Sequence, residues 1–103
     1  MHELPTTGLR EAVSWLAAPA EEQLAYLKSI GTAPSADELA LEFDDVKHLC
    51  PDEPAAAALT GRIDALLDAM SGPGPVWHTD SLATSPQWAE VRRLAADLLP
   101  LLR

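Results

Sequence analysis

Apolar residues recur along this chain at three- and four-residue spacing, the period of a helix with one buried side. Leu9, Val13 and Leu16, with Ala12 beside them, predict a first helix over Gly8 to Ala18. Thr6 or Thr7 caps its start, and Pro19 forbids its continuation because Ala18 is pushed from helical angles. Pro19 instead opens a second helix at the position where its missing donor costs nothing. Glu21 and Glu22 follow in the first turn, Leu24, Leu27 and Ile30 form its apolar stripe with Tyr26 near it, and Gly31 supplies the stop.

Ser35-Ala36-Asp37-Glu38 has the form of a capping box, with the Ser35 hydroxyl serving the Glu38 amide. The third helix behind it places Leu39, Phe43, Val46 and Cys50 at i, i+4, i+7 and i+11, and Pro51 ends it. A fourth follows Asp52 or Glu53, with Pro54 in its first turn and Leu59, Ile63, Leu66 and Met70 as its stripe. The run Ala55 to Ala58 starts it well. Gly61 weakens it by up to about 1 kcal/mol and suggests a close helix crossing. Ser71-Gly72-Pro73-Gly74-Pro75 is the strongest breaker in the chain. It opens an irregular stretch over 71–85, with a helical turn near Ser81 to Ala83. A strand around Val76 to His78 would lack an obvious partner. The last helix begins at Pro86, capped by Ser85 or Thr84, with Trp88, Val91, Ala95 and Leu98 inward and an Arg93–Asp97 pair outward.

The expected architecture is therefore all-α: a compact bundle of about five amphipathic helices with one irregular loop, as a single helical domain over 1–103. The third and fourth helices share a spacing, but their caps, charges and lengths differ and no third copy makes a repeat. Composition agrees with helix. Ala (18) and Leu (17) far outnumber Ile (2) and Val (4), and the first pair are the strong helix formers. The bias also suits a GC-rich bacterial genome.

Charge changes the picture most. The chain carries a formal net charge of −9. Such a balance disfavours nucleic acid, whose binding depends on Lys and Arg displacing counterions, and anionic membranes. A basic protein partner is the natural complement. The charge is also uneven. Residues 37–53 hold seven acids, Asp37, Glu38, Glu42, Asp44, Asp45, Asp52 and Glu53, against Lys47 alone, for a net −6. From Pro86 to Arg103, three arginines against Glu90 and Asp97 give +1. Caps explain some of the acids, but Glu42, Asp44 and Asp45 fall mid-helix, where a solvated face and a docking surface are the two readings.

Candidate chemistry is sparse. Asp44, Asp45 and His48 share a helix side, but metal sites of this type need three or four ligands, so a surface ion pair is the plainer reading. Cys50 lies on an apolar stripe among acids, which suits a buried structural thiol and opposes a thiolate. One cysteine forms no internal disulfide, and Met1 to Pro5 lacks the basic and apolar segments of a leader, so a cytoplasmic location is expected. Trp77-His78-Thr79-Asp80 has the residues of a recognition loop, with Trp77 either anchoring the loop on the core or entering a partner. Trp88 reads as core and Trp15 as half-exposed at a stripe edge. No cofactor or catalytic motif is present.

These readings favour a non-catalytic acidic interaction module, most concretely an immunity- or antitoxin-type inhibitor of a basic partner such as a toxin nuclease. Glu42, Asp44, Asp45, Asp37, Asp52 and Glu53 would supply the field, with Trp77 or Trp15 as apolar anchor. The alternatives are a structural or regulatory helical subunit, acting as a homodimer or in a larger complex through leucines such as Leu41, Leu49, Leu67, Leu99 and Leu101, and a small metal-binding protein or enzyme using Asp44, Asp45, His48 or the His78 loop.

Overall fold

A computed structural model describes residues 7–31, 35–70 and 77–102. Six α-helices account for most of them: α1 (Thr7–Ala17), α2 (Ala20–Ser29), α3 (Asp37–Val46), α4 (Pro54–Ala69), α5 (Ser81–Thr84) and α6 (Pro86–Leu98). Single 3₁₀ turns extend α3 over Lys47–Leu49 and α6 over Leu99–Leu101. The all-α expectation holds. Among the described residues no helix is long and apolar enough to cross a membrane.

Several of the described helix ends follow local chemistry. Pro19 heads α2, its carbonyl accepting from the Glu22 and Gln23 amides at 2.9 and 3.0 Å. Gly31 ends α2 with φ +77°, a left-handed conformation that glycine adopts without a Cβ clash. Ser85 caps α6 through Oγ, which accepts from Gln87 and Trp88 amides at 3.2 and 3.4 Å. The capping box does not form as expected. The Ser35 hydroxyl accepts from Asp37, not Glu38, at 3.2 Å, and Ala36 takes the cap position without a side-chain bond. The reason is tertiary. Ser35 pairs with His78 in an isolated antiparallel bridge, and the Ala36 amide donates to the Trp77 carbonyl at 2.7 Å. His78 thus finds its strand partner in the residue read as a cap; Val76 lies outside the described residues.

α1 packs chiefly on α6 and also on α3; α4 lies against α6 too, and α5 bridges α6 and α2. Leu9, Val13 and Leu16 of α1, Leu39 and Phe43 of α3, Ile63 of α4, Leu82 of α5 and Trp88, Val91 and Leu98 of α6 are buried in one cluster. Helix α1 meets α3 closely at Gly8, where an added Cβ would stand 3.3 Å from Val46 Cγ1. Gly61 makes no such crossing, since nothing lies within 4 Å of the corresponding position, so the expected close approach there is absent.

Three stripes differ from expectation. On α4 the buried residues are Ala56, Thr60, Ile63, Leu67 and Met70, while Leu59 and Leu66 are half-buried. The face is rotated by about 50° at 100° per residue. An alanine-rich helix is apolar on several sides, and its smallest residues permit the closest packing. On α2 Gln23 is buried in place of Leu24, and Ile30 stays 43% exposed. Cys50 is half-buried, because α3 ends at Val46 and the 3₁₀ turn takes the chain out of register; the Thr60 hydroxyl donates to its Sγ at 3.3 Å.

Candidate functional site

Asp37, Leu41, Asp44 and Asp45 stand at i, i+4, i+7 and i+8 of α3, opposite Leu39 and Phe43, and all four are exposed. This spacing puts them on one face of the helix. Leu41 sits in its middle with 55% of its surface exposed. Among the described residues neither Asp37 nor Asp45 meets a cation. Asp44 does: Lys47 Nζ lies 2.7 Å from its Oδ1 and 2.8 Å from Asp64 Oδ1, tying α3 to α4. Both carboxylates hold the Lys47 pKa far above its usual value.

The other sequence-predicted acids lie elsewhere. Glu42 does not share that face. It turns toward α2, where its Oε2 accepts from the Tyr26 hydroxyl at 2.5 Å. That bond, burial and the nearby charges of Glu42, Glu38 and Glu11 push the Tyr26 pKa up to about 12. Asp52 and Glu53 are exposed in the turn into α4, where Glu53 occupies the cap position without a side-chain bond. The acidic run of 37–53 is thus divided into an outward face, a shoulder against Tyr26 and a turn.

Trp15 is half-buried and stacks on Tyr26, with ring centroids 4.0 Å apart and planes inclined 12°. Trp77 is engaged within the fold. Its Nε1 donates to the Met70 carbonyl at 2.8 Å, and it meets Trp88 edge-on at 5.7 Å. It anchors its segment on the core and is left out of the site. His78 belongs to a local turn, its Nδ1 accepting the Asp80 amide at 3.2 Å. Among the described residues no three His, Cys, Asp or Glu side chains converge as a metal site, and Asp44 turns to Lys47. Of the leucines read as a dimer face, Leu67 is buried and Leu49, Leu99 and Leu101 pack on the core; Leu41 alone is exposed.

One buried polar network carries no signal in the hydrophobic pattern. Gln23 is fully buried, and its Nε2 donates to the Trp15 and Leu16 carbonyls at 3.0 and 3.1 Å. Its Oε1 accepts from Arg92 Nη1 at 3.3 Å, and Arg92 also donates to the Leu82 carbonyl at 2.6 Å. Desolvation pulls the Arg92 pKa down. The clue was Pro19: ending α1 inside a packed corner leaves carbonyls that need donors.

Comparison with protein-family models, curated proteins and solved structures finds no match for this chain. The functional reading therefore comes from the geometry alone.

Proposed function

We propose that this protein acts by binding rather than catalysis, as an acidic module whose α3 face meets a basic protein partner. Its most concrete form is an immunity- or antitoxin-type inhibitor that covers the basic groove of a toxin such as a nuclease, in a cytoplasmic setting that suits the free thiol of Cys50. The observation that carries the reading is the exposed Leu41 with Asp37, Asp44 and Asp45 around it. A lone exposed leucine is ordinary. One set in a patch of carboxylates, two of them without a cation among the described residues, resembles an interface in miniature: an apolar centre with a charged rim. The rim would steer a basic partner and raise association toward about 10⁸ M⁻¹s⁻¹ at low salt.

The same charge disfavours a homodimer through this face. A two-fold contact sets a patch against its own copy, here acid against acid.

The test begins with retrieval of a partner from extract of the producing cells, followed by association kinetics of the purified pair. Asp37→Lys with Asp45→Lys is expected to slow association at least about tenfold and to flatten its salt dependence. Association that is indifferent to salt and to both reversals overturns the proposal.

A further inference from the structure

The shoulder of α3 holds a second feature beside the exposed face. Trp15 and Tyr26 are stacked, and both residues are half-buried, packing on the core without being enclosed by it. Glu11 precedes Trp15 by one turn on α1, and Glu38 and Glu42 are one turn apart on α3. All three carboxylates act electrostatically on Tyr26, and Glu42 is bonded to its hydroxyl. Among the described residues none of the three forms an ion pair. The structure has thus gathered two aromatic rings and three negative charges from three helices, with no ion pair to any of the three carboxylates among the described residues.

Aromatic faces attract cations through their quadrupole, and nearby carboxylates add full charges. The two basic side chains differ in how well they fit. A lysine ammonium is compact and strongly hydrated. An arginine guanidinium is planar, weakly hydrated, stacks on rings and forms forked bonds to carboxylates. Glu42 reaches Tyr26 through Oε2, which leaves Oε1 for an incoming N–H. The shoulder is also continuous with the outward face, since Leu41 follows Glu38 by three residues and Asp45 follows Glu42 by three.

We infer that the Trp15–Tyr26 pair, rimmed by Glu11, Glu38 and Glu42, seats an arginine side chain of the basic partner. This rests on the reading of the α3 face as a docking surface, and adds the chemistry of the anchor. The face steers and the shoulder holds.

Three short peptides of one sequence, carrying arginine, lysine or neutral citrulline at the same positions, serve as probes. The readout is the NMR spectrum, namely the ring signals of Trp15 and of Tyr26, the chain's one tyrosine, and the backbone amides of α3. The arginine peptide is expected to shift both rings and to bind about tenfold more tightly than the citrulline peptide, with lysine between them. Glu38→Gln with Glu42→Gln, two changes at half-buried positions that keep side-chain shape, is expected to weaken arginine binding about tenfold while the melting curve shows a folded protein. Citrulline binding as tight as arginine, or shifts confined to Asp37, Leu41, Asp44 and Asp45, overturns the inference. The second result leaves the charged-face reading intact. Arginine-peptide binding that survives reversal of Asp37 and Asp45 and is lost with Glu38 and Glu42 separates the two in the other direction.

Discussion

Gln23→Leu probes the buried network at constant side-chain size. Three hydrogen bonds are lost, but their costs differ. The Trp15 carbonyl keeps the Ala18 amide at 3.3 Å, and Arg92 Nη1 keeps the Leu82 carbonyl at 2.6 Å. The Leu16 carbonyl loses Gln23 in a buried corner. A buried acceptor left without a partner costs about 1–3 kcal/mol, and a bond to a charged donor adds about 1.5 kcal/mol, here at the low end because it spans 3.3 Å. Leucine offsets about 1 kcal/mol by being more apolar. The net loss is about 1.5–3.5 kcal/mol, a large share of the stability of a domain of this size. Thermal melting followed by circular dichroism is expected to shift down by roughly 6–28 °C, and urea melts to show a lower midpoint at unchanged slope. A variant within about 0.5 kcal/mol of the parent refutes the argument, because it would mean that the three bonds together do no more than water does in the unfolded chain.

Other expectations are narrower. Gly61→Ala on the open side of α4 should stabilise by about 0.5–1 kcal/mol, read as a higher melting temperature; a loss would show that the glycine has a packing role after all. Ser85→Ala removes the α6 cap and should cost about 1 kcal/mol in urea denaturation. Tyr26 can be followed alone by tyrosinate absorbance. Its folded pKa is raised above the ordinary 10.0, so the contribution of the Glu42 contact is complete below pH 10 and is lost as pH rises through about 12. Glu42→Gln should bring the midpoint back toward 10.0.

What the sequence made legible was periodicity backed by bulky residues. The α6 stripe of Trp88, Val91, Ala95 and Leu98 is buried throughout, and Leu94 joins it. The α4 stripe was harder to phase, because four successive alanines fit either side of the helix and only contact with α6 decides between them. Ser35 shows a different limit. Its local signal for a cap was sound, but pairing with His78, 43 positions away in sequence, claimed its backbone. The acidic run was legible as charge and not as direction. Helical spacing already separates Asp37, Leu41, Asp44 and Asp45 from Glu42, but only the placement of Tyr26 shows where Glu42 goes. Gln23 could not be found from hydropathy at all, since its burial is dictated by the carbonyls it serves.

The packing of α1 on α6 bears on how the molecule reaches its native state. During synthesis Leu9, Val13 and Leu16 leave the ribosome well before the helix that covers them most extensively is made. Until α6 is made, that apolar stripe has α3 as its main available neighbour. Contacts between distant segments slow folding relative to bundles whose successive helices pack in order. The nascent chain should accordingly remain open to chaperones and proteases until α6 emerges, and ribosome-bound chains arrested before Trp88 should be cleaved far more readily than chains arrested with α6 outside the ribosome.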